Sequence, residues 1–580
     1  MKNILIAIRS IFKKGRHNVM KIVSLGIGLA VGLVLIAKVY FEQSYDDFYP
    51  DRDRVYQVWA KYQQNGGELK DYPQTSGGIA PTMQQQIPEI ETVTRYTSFG
   101  DWTFTMTDTK MKYSGRCIIA DSCFFDILPR PMLIGNAKEV LSTPMYVLIS
   151  SRIAKNIGGD VIGKNFTVDN SPGRTMTIGG VFEEVPENSH SRYDVIVSMA
   201  SAGRFMWEGS PTNMLGNDRY ISYVKLHKGV NPLALEEQVR TFVNSYFPPE
   251  EQQKVGLSID FSFHKLDNLH KELPQVKRMT WILSLLAFAL IFTAVMNYIL
   301  IVISSIVNRS KEVAVHKCYG ASENNIHGMM FGEALVHIVL SLILALLLIL
   351  AFRGTVEELL ATSLDSLLLS NGSLVLLGIC ILVFFVSGFM PGSLYARIPV
   401  ASAFRNYREN KRIWKKALLL VQFVATGFLV TMLVFVARQY TFMVNDRPGY
   451  AYENLAYCGL AGVDSTSRAK ILDEVMRLPG VAAATTVYQL PFEHASGNNI
   501  LLPGGTQELF NIADLYWVGN GYLDMMEIPV IQGRSFTENV TNSREVMVDR
   551  RFVEKMKLVA GWTDDVVGKD ICVTEHSKWN

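Results

Sequence analysis

The chain has 580 residues, of which 48% are hydrophobic and 19% charged, and its formal net charge is +2. That balance excludes a chain dominated by a basic nucleic-acid-binding surface or an acidic partner-binding tail. Six cysteines without regular spacing exclude a disulfide scaffold, and no Cys/His pattern suggests a bound metal or other cofactor.

In chain order, residues 1–18 come first. Ile4, Leu5, Ile8, Ile11 and Phe12 fall at helical spacing opposite Lys2, Arg9 and Lys13, the pattern of a helix lying in a membrane interface and touching lipid. Five apolar stretches follow at 19–41, 278–308, 327–352, 373–396 and 416–438. Each is long enough to cross a hydrocarbon core of about 30 Å, which takes about 20 helical residues. The first is too long for a signal-peptide core and lacks a small-residue cleavage site before Glu42 and Asp46, so it reads as a retained anchor.

Lys and Arg accumulate on the cytoplasmic side of membrane helices. They cluster before the first span, at Arg309, Lys311 and Lys317 after the second, and from Arg397 to Lys416 between the fourth and fifth. The loop at 353–372 offers only Arg353. The expected topology therefore has a cytoplasmic N-terminus, outer segments at 42–277 and 439–580, a cytoplasmic turn at 309–326 and a cytoplasmic linker at 397–415.

Segment 42–277 mixes strand-like runs (55–59, 175–181, 220–226) with helical ones (79–86, 151–157, 232–246), which predicts an α+β domain outside an α-helical membrane protein. Cys117 and Cys123 lie close together on the oxidising side and are the pair that a bridge would use. Parts of the domain recur. Phe125-Asp126-Ile127, Pro131 and Gly135 return at constant offset as Leu523-Asp524-Met525, Pro529 and Gly533, the strand–helix passage Val147 to Ile157 matches Val546 to Met556, and Asp160 to Lys164 returns as Asp565 to Lys569. The chain reads as one unit of span, outer domain and three spans, followed by a second unit that stops early; an intact version would have eight spans.

Gly158 to Asn165 has the spacing of a phosphate-binding loop but ends in Asn, follows a helical run and precedes a strand-like one, the reverse of a strand–loop–helix phosphate site. It reads as part of the domain fold. His190 has no partner constellation in its neighbourhood of sequence and reads as a loop residue. Inside the spans, Asn297 and the four-apart pair Glu333 and His337 are expensive in hydrocarbon and are candidate sites. A proton relay is one reading; hydrogen-bonding to a neighbouring helix near the cytoplasmic interface is the favoured one.

The segment Asn308 to Ser322 alternates charge with small apolar residues and closes on Gly320-Ala321-Ser322, which suits a short amphipathic helix with a glycine stop. Its run R-x-K-E-x-x-x-x-K-x-x-G-A-S, followed by Gly332-Glu333-Ala334-Leu335, resembles the FtsX-like permease domain. Ser387 to Gly392 with Ile398-Pro399-Val400, and Val421-Gln422-Phe423, add to that likeness. Tyr45-Asp46-Asp47-Phe48, Arg54-Val55-Tyr56, Pro88-Glu89-Ile90, Phe124-Phe125-Asp126, Ile162-Gly163-Lys164 and Gly180-Val181-Phe182 resemble the MacB-type periplasmic core domain.

The resemblance to MacB/FtsX-type ABC transporter permeases implies the type VII architecture and a place in the bacterial inner membrane. It also implies a permease without enzymatic activity, served by a separate cytoplasmic ABC ATPase that docks on the turn after the second span. Carried onto this sequence, the coupling residues are Arg309, Lys311, Glu312, Lys317, Gly320, Ala321 and Ser322. The family's outer domains act mechanically on periplasmic or outer-leaflet cargo such as antimicrobials, peptides or lipoproteins, with a periplasmic adaptor or cargo protein as a further partner. Two units in one chain could form an intramolecular pseudo-dimer in place of a homodimer. The alternative is an FtsX-like regulator that activates a cell-wall hydrolase without moving cargo.

Overall fold

The computed structural model describes residues 17–64, 69–168, 171–216, 218–369, 372–396, 399–400, 413–445, 448–460, 463–491, 496–505, 508–536, 545–563 and 565–573. The interfacial helix expected at 1–18 lies outside them except for its last two residues, as does most of the linker at 397–415. Two compact units form: residues 1–166, 175–248 and 258–439 make the first, and 167–174, 249–257 and 440–580 the second.

The first unit opens with helix α1 (Asn18–Gln43) and then a sheet domain. Its strands are β1 (Val55–Gln64), β2 (Lys70–Tyr72), β3 (Ile90–Met106), β4 (Lys112–Ala120), β5 (Met132–Ile134), β6 (Tyr146–Ser150), β7 (Asn165–Val168), β8 (Ser171–Phe182), β9 (Val195–Ser198), β10 (Ile221–Leu226) and β11 (Leu257–Lys265), the ends of β7, β8 and β11 within 167–174 and at 257 being counted with the second unit. The main path runs β11-β1-β10-β3-β4-β9-β6-β8-β5. β4–β9 and β6–β8 are parallel, while β1–β10, β10–β3, β3–β4 and β6–β9 are antiparallel. The central strands β9 and β10 bury nearly every residue; β9 reads as a short apolar run, whereas β10 carries Ser222 and Lys225 into the interior.

Helices α2 (Ile79–Gln86), α3 (Phe124–Ile127), α4 (Ser151–Ile157) and α5 (Glu236–Tyr246) accompany the sheet. An aromatic core of Tyr49, Tyr96, Phe124, Phe182, Tyr193 and Tyr223 forms part of the domain's interior. α4 is capped by Ser150 Oγ, which accepts from Ile153 N–H at 3.4 Å, and it ends at Gly158 with φ +75°. Gly159 and Gly163 are also left-handed and β7 follows, so this loop turns a helix into a strand and presents no helix N-terminus to a phosphate. Cys117 and Cys123 are free thiols: Cys117 is buried in β4, and Cys123 Sγ donates to the Val93 carbonyl at 3.0 Å.

The chain returns through α6 (Pro274–Ser304), α7 (Ile306–Cys318), α8 (Glu323–Ala351), α9 (Arg353–Leu360), α10 (Leu364–Leu368), α11 (Ser373–Ala396) and α12 (Ile413–Asn445). Among the described residues five helices (α1, α6, α8, α11 and α12) are long and apolar enough to cross a membrane. Two boundaries differ from the sequence reading. The second span stops at Ser304 instead of 308, because Tyr395 Oη donates to the Val302 carbonyl at 3.1 Å and stands 3.2 Å from Ser305 Oγ, breaking the helix there. The loop expected at 353–372 is built from two short helices, α9 and α10.

Small residues set the bundle. A Cβ on Gly28 would stand 2.3 Å from Ala294 Cβ, one on Gly26 2.9 Å from Leu344 Cδ2, and one on Gly388 2.5 Å from Phe331 Cδ1. α1 thus packs on α6 and α8 with its backbone close against them, as expected where hydrocarbon gives no hydrophobic drive and packing must hold helices together. Its opposite stripe, Val19, Val23, Ile27 and Val31, is exposed.

The second unit contains α13 (Ser465–Met476), β12 (Ser496–Leu501), β13 (Glu508–Leu515), α14 (Tyr522–Met525), α15 (Arg550–Ala560) and β14 (Cys572–Val573). Local structure agrees at the repeated sequences: α14 stands where α3 does, α15 where α4 does, and Gly533 and Gly568 repeat the left-handed φ of Gly135 and Gly163. β6 has no counterpart strand at 545–549. In the first unit β6 is held by β8 and β9.

Candidate functional sites at the two ends of the helix bundle

At the end of the bundle away from the sheet domain, α7 leaves α6 with almost no interruption. Its Val313 and Ala314 are buried in the bundle core. The helix closes with Tyr319 N–H on the Val315 carbonyl, Gly320 N–H on Lys317 and Ala321 N–H on His316, around Gly320 at φ +85°, a left-handed glycine stop. Ser322 then caps α8 by accepting from Asn325 N–H at 3.4 Å.

Of the residues assigned to coupling, Lys311, Gly320 and Ser322 are exposed, Glu312 and Ala321 are half-buried, and the Arg309 side chain lies outside the described residues. Lys317 turns inward and donates to the Ala396 carbonyl at 2.7 Å, tying α7 to the end of α11. Sequence reasoning passed over Tyr319, 88% exposed, and Val315, one turn earlier and also exposed. Their signal was present: large apolar groups placed among charges in a turn that no span requires.

The polar residues within the spans brace three helices against one another. Asn297 on α6 donates to Ser24 Oγ on α1 at 2.7 Å. Lys21 on α1 stands 3.6 Å from Glu333 on α8, both nearly inaccessible. His337 on α8 stands 3.2 Å from Tyr298 Oη on α6. Each pair of helices therefore has its own polar tie, and partnered polar groups in hydrocarbon resist separation of the helices that hold them. Among the described residues no group of three or more His, Cys, Asp or Glu is placed to hold a metal ion.

At the sheet-side end, distant segments converge on the end of α1. Lys38 Nζ stands 2.7 Å from Glu42 Oε1 and donates to Thr362 Oγ1 between α9 and α10 at 2.8 Å. Glu42 Oε2 lies 2.6 Å from His270 Nε2, just before α6, and the His270 ring stacks on Tyr45. Fully buried Asp46, in left-handed backbone at φ +60°, accepts from Ser189 Oγ at 3.1 Å and lies 2.7 Å from His190 Nδ1. The other His190 nitrogen meets Tyr223 Oη on β10. Burial holds the Tyr223 hydroxyl well above its ordinary pKa, and burial followed by the Glu42 charge raises Tyr45, so both stay protonated at neutral pH. His190 thus has the partner constellation that its sequence neighbourhood did not reveal, built from residues far away in the chain.

Two family models match the chain in order: the MacB-like periplasmic core domain over residues 20–242 and the FtsX-like permease C-terminal domain over 284–400. Similar solved structures include a domain described as a permease protein of Porphyromonas gingivalis, at 33% identity over 37% of this chain and 91% of that one, with a TM-score of 0.35. The periplasmic region of MacB from Actinobacillus actinomycetemcomitans is 15% identical over 38% and 91% of the two chains, TM-score 0.25. The extracellular domain of the ABC-type transporter YknZ from Gram-positive bacteria is 11% identical over 35% and 98%, TM-score 0.26. No curated protein matches. The two models together cover more than half of the sequence and place the chain in the MacB/FtsX-type family of ABC transporter permeases.

Proposed function

We propose that this chain sits in the bacterial inner membrane with its N-terminus in the cytoplasm and couples ATP hydrolysis on a separate ABC ATPase to mechanical movement of its outer domains. The observation that carries the reading is α7. Its exposed side offers Lys311, Val315, His316 and Tyr319 to a partner, while its buried side is anchored through Val313, Ala314 and the Lys317–Ala396 bond. A force on α7 therefore reaches α6 and α11 together, and α6 runs unbroken for 31 residues to the base of the sheet domain. Rigid-body displacement along a stiff helix suits such transmission.

The cargo class that fits an outer mechanical arm is a periplasmic or outer-leaflet one: antimicrobials, peptides or lipoproteins, with an adaptor as a further partner and a homodimer or pseudo-dimer as the working assembly. The test is affinity purification of the tagged chain from its native membranes. An ABC ATPase should accompany the intact chain and be lost on deletion of 309–322; retention after that deletion overturns the coupling assignment.

A further inference from the structure

Lys38 and Glu42 stand four residues apart at the sheet-side end of α1, Asp46 follows four residues later in the turn beyond it, and each is committed to a different neighbour. Lys38 holds Thr362 between α9 and α10, Glu42 holds His270 before α6, and Asp46 holds Ser189 and His190 in the loop leading to β9. Two further ties cross the same joint: Asn188 Nδ2 donates to the Ser44 carbonyl at 2.7 Å, and Ser363 N–H donates to Glu187 Oε2 at 3.0 Å. The three side chains are 10%, 6% and 0% exposed.

Charges this buried cannot exchange their partners for water gradually, because an unpaired intermediate is strongly disfavoured. A joint made of them holds one arrangement or switches to another. We propose that Lys38, Glu42 and Asp46, with Thr362, His270 and His190, are positioning residues that fix the orientation of the sheet domain on the membrane helices, so that motion of α1 and α6 is delivered to it without slack. The proposal rests on the mechanical reading above and deepens it. It assigns the delivery point on the outer side, where sequence reasoning had named only the cytoplasmic contact.

The test uses the full chain in lipid nanodiscs, with its cysteines replaced and spin labels at Met111→Cys on the β3–β4 turn and Leu359→Cys on α9, both exposed. The parent should give a single narrow distance population. His190→Ala with His270→Ala should lose that single population, whereas His190→Asn with His270→Gln, which keep an N–H donor at Nδ1 and Nε2 respectively, should retain it. Arg54→Ala, which breaks ion pairs to Asp51 and Glu91 inside the sheet domain, should lower the melting temperature and leave the distribution alone.

An unchanged distribution in the alanine pair, or equal loss in the conservative pair, overturns the proposal. Thr362→Val, which deletes one hydroxyl and keeps the shape, should broaden the same distribution. If it does not, the proposal fails even where the alanine pair does not fold. The measurement needs no ATPase, so its failure leaves the docking assignment standing, and failure to find an ATPase leaves this result unaffected.

Discussion

Gly28→Ala should loosen the contact between α1 and α6. The added Cβ would lie 2.3 Å from Ala294 Cβ. Carbon atoms prefer about 3.5–4.0 Å, so the two backbones must part locally by about 1.5 Å. Ala294 has no rotamer with which to yield, and overpacking of this kind costs about 1–3 kcal/mol. At Gly32 the obstructing atoms are the Cγ1 and Cδ1 of Ile291, at 2.4 and 2.8 Å, and that side chain can turn away. Gly32→Ala should therefore cost less. Ala294→Gly removes the obstructing methyl, and the double variant Gly28→Ala with Ala294→Gly should recover most of the loss. The assay is thermal unfolding of the detergent-solubilised chain, followed by tryptophan fluorescence, for the parent, the three single variants and the double. Val31→Ala, on the exposed stripe of α1, serves as control and should behave like the parent. The packing account is refuted if Gly28→Ala melts with the parent or if Ala294→Gly gives no rescue.

Three further outcomes follow from the same structure. Glu333→Ala removes the carboxylate that faces buried Lys21, whose ammonium also donates to Asn18 Oδ1 at 3.3 Å, and should destabilise the bundle by about 3–5 kcal/mol, while Lys21→Met with Glu333→Leu should restore most of it, as read by unfolding in detergent. Hydrogen bonding to Lys225, with Arg54 beside it, holds the Asp51 carboxyl below its ordinary 3.8. The depressed value makes the contribution present above the ordinary pKa and lost as pH falls through the folded one. Asp51→Asn should therefore lower the sheet domain's stability at neutral pH and flatten its acid limb below about pH 4; an unchanged acid limb would count against the pairing. Burial pushes the Tyr96 hydroxyl up to about 12, so it favours the folded form below its ordinary 10.0 and loses that contribution as pH rises through about 12. Titration at 295 nm should show a delayed tyrosinate fraction that shrinks in Tyr96→Phe.

Hydropathy and charge marked the spans because a membrane helix must be apolar along its whole length and its flanking cations must stay outside the hydrocarbon. The break at Ser305 was hidden, since Ile301 to Val307 stays apolar apart from two serines and the cause is Tyr395, far along the chain. The resemblance assigned Lys317 to the partner contact; its bond to the Ala396 carbonyl at a neighbouring helix end was not legible, because the two residues are far apart in the chain.

The joint at the end of α1 was half legible. Lys38, Glu42 and Asp46 at i, i+4, i+8 are conspicuous where a span ends. What they hold could not be read, because His190, His270 and Thr362 arrive from three separate segments. In the sheet, β10 could be recognised as a strand from Ile221 to Leu226. Its place between β1 and β3 could not, since that pairing joins residues more than a hundred positions apart.

The most direct test of the central claim places a photo-crosslinking residue at Tyr319, and in a second chain at exposed Trp281 on α6, then irradiates native membranes and identifies the adducts by mass spectrometry. The account predicts an ABC ATPase crosslinked through position 319 and not through 281. An ATPase captured through 281 alone, or an ATPase that co-purifies yet never crosslinks at 319, would contradict it.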